Sequence, residues 1–352
     1  MSRMSRARQT VALAALLSLT WLTTACGGGS TAGDDASGGG KDTVRIAYQA
    51  FPSGDLIVKD QRWLEKALPG YRIDWTKFDS GASINTAFLA ESVDIAAIGS
   101  SPVARGLSAP LNIPYKVTWV LDVAGDNEAL VVRKDTRITS VKDLAGKKIA
   151  TPFGSTSHYS LLAALKRAGL NPGEVDIVDL EPQDILAAWT RGDIDGAYIW
   201  LPTLKDLQKS GTTLTTSREL AKAGKPTLDL GVASNAFIDK HPDVLAAWRK
   251  AQARALDLIT ERPDEAAAAV GRQLGIPKAQ AAEQLAQGEF LRPAELAGPR
   301  WIGTPGNVGE LAGNLHDAAE FLHSQKQIGA VPEPATLEKA VYAEGLSDAV
   351  GS

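Results

Sequence analysis

From Thr43 onward, short apolar runs alternate with helix-like segments, and this alternation restricts the body of the chain to sheets covered by helices. Residues 44–49 read as a strand, 63–68 as part of a helix, and 71–78 as a second strand. Residues 83–92 place Ile84, Ala87, Phe88 and Glu91 at helical spacing, and 95–98 form a short buried strand. Ser101-Pro102 then supplies an N-cap and a first-turn proline for the next helix. Near residue 140 the pattern starts again. A short helix, a turn and a strand occupy 141–150, a Ser/Thr-capped helix covers 157–170 with Gly169 and Pro172 ending it, a strand covers 175–180, and a helix covers 182–191. The segments 91–100 and 192–201 echo each other, each running from a helix end through an aspartate into a buried strand and on to a proline. Two matching halves predict two lobes, each offering strand ends and helix N-termini to a shared cleft. Beyond residue 235 the chain reads as mostly helical, at 244–270, 278–289 and 308–325.

The N-terminus carries a different message. Arg3, Arg6 and Arg8 precede an apolar run at 11–22, and Thr23-Thr24-Ala25-Cys26 follows. A basic start, a short apolar stretch and small residues before a cut describe a secretory signal peptide over 1–25. The apolar stretch falls short of the about 20 residues that span a bilayer. Cys26 is the single cysteine of the chain and sits where a lipobox places the thiol that is lipidated, although Thr23 stands where an aliphatic residue is usual. The other reading is an ordinary cleaved signal with an incidental cysteine. Residues 26–42, dominated by glycine, serine and aspartate, bury too little apolar surface to repay their ordering and read as a flexible tether. A formal net charge of −4 gives no basic excess for nucleic acid. One cysteine allows no internal disulfide, and His158, His241, His316 and His323 lack metal-ligand spacing, so neither metal nor cofactor is expected.

Several segments together resemble the taurine and aliphatic-sulfonate binding proteins of ABC importers. They are VRIAYQ at 44–49, WTKFDSGASI at 75–84, GSSP at 99–102, NEALVV at 127–132 and PFGSTSHYSLLAALK at 152–166. AAW at 187–189, WLP at 200–202 and PTLD at 226–229 complete the set, which runs in order through nearly all of the chain after the tether. The resemblance implies a two-lobed type II periplasmic-binding-protein fold, each lobe a mostly parallel sheet flanked by helices. Lobe 1 would be 43–133 plus 229–352 and lobe 2 would be 134–228, with crossings near Arg133 and Asp229. It also implies a monomeric, extracytoplasmic lipoprotein that hands a small sulfonate to permease and ATPase subunits, and not an enzyme.

Taurine carries an ammonium at one end and a sulfonate at the other, so burying it requires acids at one end and many donors at the other. Ser155, Thr156, Ser157, His158 and Tyr159 open a helix whose free N–H groups and hydroxyls suit an oxyanion, and Ser100 and Ser101 open another. The resemblance assigns the amine to Glu128 and Asp229. Trp200, at a strand end, would pack on the methylenes, with Tyr48 and Gln49 at another strand end. Read singly, each has a plainer role: a helix cap, a solvated acid, a core tryptophan, edge residues. Two features depart from the family, the loop 50–55 and Leu230-Gly231 in place of a bulkier run, and both are expected to reshape the cleft. Three rival functions remain. An enzyme on the same fold, such as a pyrimidine-precursor synthase, fits poorly with an export signal. A sensor domain needs an attached module. A binder of another sulfonate or of a quaternary amine would differ in its cleft, the latter wanting an aromatic cage.

Overall fold

The computed structural model describes residues 42–350. The signal peptide, Cys26 and all of the tether except Asp42 lie outside the described residues. Ten strands form two five-stranded sheets. They are β1 (Asp42–Gln49), β2 (Tyr71–Phe78), β3 (Ile95–Gly99), β4 (Tyr115–Val123), β5 (Glu128–Arg133), β6 (Lys148–Thr151), β7 (Asp176–Asp179), β8 (Gly196–Trp200), β9 (Gly211–Thr216) and β10 (Leu228–Ser234). The first sheet has the order β2-β1-β3-β10-β4 and the second β7-β6-β8-β5-β9. Both are mixed but mostly parallel in direction. In each, four strands point the same way, and the strand that lies fourth in order arrives from the other lobe and pairs antiparallel on both sides.

That exchange moves a boundary. β5 pairs with β8 and β9 in the second sheet, so the crossing expected near Arg133 comes earlier, at residues 124–127. The return crossing precedes β10, which opens at Leu228. The echoing segments occupy equivalent places: β3 and β8 are each the middle strand of their sheet, and every residue of β3 is buried. Local chemistry sets the element ends. Helix Pro182–Arg191 starts on a proline that needs no donor and stops at Gly192, whose φ of 80° glycine adopts freely. Helix Ser100–Leu107 starts two residues earlier than an N-cap at Ser101 indicates, with Gly99 as its N-cap.

The larger core lies in the first lobe, where Trp119 and Trp248 are fully buried. Trp248 explains Gly231: a Cβ there would lie 2.3 Å from Trp248 Cη2 and 3.0 Å from Trp119 Cβ. The missing side chain is replaced by an indole from helix Pro242–Glu261 and does not enlarge the cleft. Helix Leu311–Ser324 packs on helix Ser100–Leu107 and also touches the second lobe through Phe321 and Asp317. Among the described residues no helix is long and apolar enough to cross a membrane.

Candidate functional site

Strand ends and helix starts from both sheets meet around one pocket of about 490 Å³, open mouth included. On the first-lobe side, Asp229 pairs in register with Gly99 on β3 and with Asp122 on β4. On the second-lobe side, Glu128 opens β5 opposite Trp200, the last residue of β8. Gly99 has no room for a side chain, because a Cβ would lie 2.9 Å from Thr156 Cγ2. The starts of helices Ser100–Leu107 and Thr156–Ala168 therefore converge. Their first-turn N–H groups lack intrahelical acceptors and present the positive ends of two helix dipoles.

The hydroxyls behave differently from the expectation. Glu128 is buried, and its carboxylate accepts from Thr156 Oγ1 at 2.6 Å, Ser157 Oγ at 3.0 Å and Ser160 Oγ at 3.2 Å. Ser217 Oγ at 2.7 Å and Thr227 Oγ1 at 3.3 Å complete the cradle. Ser155 Oγ donates to the Pro152 carbonyl at 2.6 Å and accepts from His158 N–H at 3.1 Å, as an N-cap does. The side chains predicted to grip an oxyanion thus stabilise an acid and a helix start, which leaves the backbone N–H groups to face an anion.

Six of the predicted residues line the pocket: Gln49, Glu128, Ser155, Thr156, Trp200 and Asp229. Tyr48 does not. Strand alternation turns it away from its neighbour Gln49, toward Trp75 at 6.1 Å and beneath Lys59. Ser157 is held by Glu128, and Ser100 Oγ accepts from Leu228 N–H at 3.2 Å. Ser101 is buried, with no hydrogen-bond partner for Oγ among the described residues. His158 stacks on Phe153 at 4.5 Å, and Gly154 N–H donates to its Nδ1 at 3.2 Å. Burial lowers the imidazole to about 4, so it is neutral. Tyr159 packs on Phe321 at 4.9 Å. Both rings hold the two lobes together instead of lining the pocket.

The rest of the lining is not assigned from the sequence: Phe51 and Pro52, from the loop expected to reshape the cleft, and Leu201 supply apolar wall, and Gly81, Gly99, Pro102, Ala124 and Asn127 complete it. Behind the lining lies Asp122, a lone acid inside an otherwise apolar stretch of β4, and that oddity is its only sequence signal. Burial pushes its carboxyl well above the ordinary carboxylate range, and the charge of Asp229 opposite pushes it further. Asp229 is half-buried and opens onto the pocket. Burial, aided by the charge of Glu128, raises it to about 7, against the pull of a hydrogen bond from Asp122. Away from the pocket, His316, Asp317 and Glu320 bring one ligand atom each within 4.8 Å, but Lys225 already pairs with Asp317 at 3.1 Å.

The pocket therefore joins an acid cluster to two helix N-termini between apolar walls, and known proteins share its frame. Residues 83–266 match the family described as NMT1/THI5 like. The taurine-binding periplasmic protein of Escherichia coli (strain K12) is 39% identical over 298 residues, which are 82% of this chain and 88% of that protein. The alkanesulfonate-binding protein SsuA from Xanthomonas axonopodis pv. citri, solved bound to MOPS, matches with a TM-score of 0.72 at 21% identity, covering 86% of this chain and 98% of that one. The desulfurization enzyme DSZB has the fold too, with a TM-score of 0.64 at 15% identity over 88% of this chain and 99% of its own, so the fold by itself does not separate binding from catalysis. The chain belongs to the NMT1/THI5-like family and is, within it, a relative of the periplasmic taurine-binding protein.

Proposed function

We propose that this chain is the extracytoplasmic substrate-binding component of an ABC importer, that it captures taurine between its lobes, and that it delivers the ligand to the permease and ATPase subunits. The observation that carries this reading is the juxtaposition of Asp229 with the Gly99 and Thr156 helix starts. An acid beside two positive helix ends matches a short zwitterion, whose ammonium and sulfonate differ in what they need. Trp200, Phe51 and Leu201 suit the methylenes between them. The similarity to a taurine-binding protein points the same way.

A second reading has one specific observation in its favour. Five hydroxyls already saturate Glu128, which leaves Asp229 as the acid facing the pocket with fewest partners and favours a general alkanesulfonate binder. Titration calorimetry with taurine, ethanesulfonate and a betaine decides between them. Taurine binding about tenfold or more tighter than ethanesulfonate is expected. Equal affinities would favour the second reading, and tight betaine binding would defeat both.

The protein acts as a monomer held to the membrane by a lipid on Cys26, with residues 27–41 as its tether. Support comes from the basic, apolar and small-residue pattern before that cysteine. Cys26→Ser should move the protein from the membrane fraction to the soluble exported fraction. Unchanged fractionation would refute the anchor.

A further inference from the structure

Arg105 stands one turn along its helix from Pro102, which lines the pocket, so the two side chains share a face. The Arg105 side chain leaves the first lobe and lies against Gly154 of the second, the residue before the pocket-lining Ser155. A Cβ on Gly154 would lie 3.6 Å from Arg105 Nη1, 3.8 Å from its Cδ and 2.8 Å from Gln327 Oε1. The φ of 76° at Gly154 is one that glycine adopts freely. A bare glycine thus makes room for the guanidinium where the lobes meet, one residue outside the pocket.

No acid among the described residues pairs with Arg105. Lys205, Lys225 and Arg218 also reach across the lobes, and each meets a carboxylate of the other side: Glu283 at 3.2 Å, Asp317 at 3.1 Å and Glu289 at 3.5 Å. Arg105 Nε is instead buried without a hydrogen-bond partner, as is Gln327 Oε1 beside the same glycine. A buried donor on a charged group is unfavourable to leave unpaired, and an acceptor that carries negative charge satisfies it best. The other charges near the mouth have the opposite sign. Beside the lining Gly81, Ser80 Oγ donates to Glu181 at 3.1 Å, and Asp79, Asp179 and Asp184 lie close enough to act on that carboxylate. With a formal net charge of −4, the chain as a whole also repels an anion.

We propose that Arg105 is an outer anion station of the pocket: an incoming sulfonate pairs with its guanidinium while the lobes are parted, then moves inward to the N–H groups at the starts of helices Ser100–Leu107 and Thr156–Ala168. The station acts on net charge. Taurine is neutral overall and gains little from it, ethanesulfonate gains more, and a sulfonate bearing a second acid group gains most. Arg105 therefore tilts uptake toward anionic sulfonates, sulfocarboxylates included. This inference rests on the reading of the pocket as a sulfonate site. A unit charge about 7 Å away across water changes an encounter about threefold for each charge on the ligand, and about 0.3 M salt screens most of that.

Stopped-flow tryptophan emission and titration calorimetry on the full chain, with taurine, ethanesulfonate and sulfoacetate, test it. At about 10 mM salt, Arg105→Gln should slow association of ethanesulfonate about threefold and of sulfoacetate about tenfold, and leave taurine within about twofold. Dissociation rates should stay near wild type, and at about 0.3 M salt the differences should largely vanish. Arg105→Lys should keep most of the wild-type rates. In the wild type alone, added salt should slow association in the same order of ligands, against the sign of the chain's net charge. A loss equal for all three ligands, a loss confined to dissociation, or an Arg105→Lys variant as slow as Arg105→Gln overturns the proposal and leaves the sulfonate reading standing. Wild type binding none of the three sulfonates overturns that reading, and the proposal with it.

Discussion

Glu128 and Trp200 are register partners on β5 and β8, so one strand pair fixes both the most heavily hydrogen-bonded acid of the pocket and its largest aromatic wall. The shared register ties the two backbones together at the second-lobe wall. Substitutions there separate stability from affinity.

Glu128→Gln places an amide NH₂ where hydroxyls from Thr156, Ser157, Ser160, Ser217 and Thr227 now converge on two acceptor oxygens. The loss of acceptor capacity should cost about 1–3 kcal/mol of folding stability. Urea denaturation would show it as a lower midpoint at unchanged slope. An unchanged midpoint would mean that the cradle contributes little to the fold.

Trp200→Ala removes apolar wall without touching the charged groups. It should weaken taurine and ethanesulfonate together, by about tenfold or more, the equivalent of about 1.4 kcal/mol. Calorimetry with both ligands tests this, and a loss confined to one of them would place Trp200 away from the methylenes.

Asp55, at the start of helix Gly54–Gln61, is buried against Gln252, and burial raises its carboxyl to about 7. Its unfolded value is about 3.9, so stability falls as pH rises between those two values and then levels off. Asp55→Asn keeps an acceptor for Gln252 and carries no charge. The variant should match wild type near pH 4 and gain on it by up to about 1.4 kcal/mol per pH unit toward pH 7. Denaturation curves across that range check the sign, and a variant less stable than wild type at about pH 8 would contradict it.

Gly231→Val would force a side chain into the Trp248 indole. Overpacking of this kind costs about 1–3 kcal/mol, a fall of several degrees in Tm. Ligand affinity of the folded protein should stay near wild type, because the space lies in the core. A thermal melt and one calorimetric titration suffice.

Elements bounded by strong local chemistry were legible from the residues: the strand Tyr71–Phe78 and the helix between Pro182 and Gly192 match their sequence-based bounds. What depended on register was not. Tyr48 and Gln49 are neighbours at a strand end, and one must face the cleft, but only the sheet decides which. Asp122 gains its meaning from Asp229, far along the chain, once β10 inserts beside β4. The crossing was misplaced because only residues 124–127 separate two apolar strands that belong to different sheets. The Ser155–Ser157 run was readable as a helix start, whereas the acceptor its hydroxyls would find depended on where Glu128 is buried.

A ligand reaches residues as buried as Gln49 and Glu128 only when the lobes part. Parting them breaks contacts well outside the pocket: Ser80 with Glu181 at 3.1 Å, Lys205 with Glu283 at 3.2 Å, Lys225 with Asp317, and the Phe321 ring against Tyr159. Those contacts set what fraction of unliganded molecules is already shut. Altering any of them rescales the apparent affinity for every ligand by one common factor and leaves the ranking of ligands untouched. Sensitivity and selectivity are thus governed by different parts of this molecule, the rim and the pocket, and each is free to drift without the other.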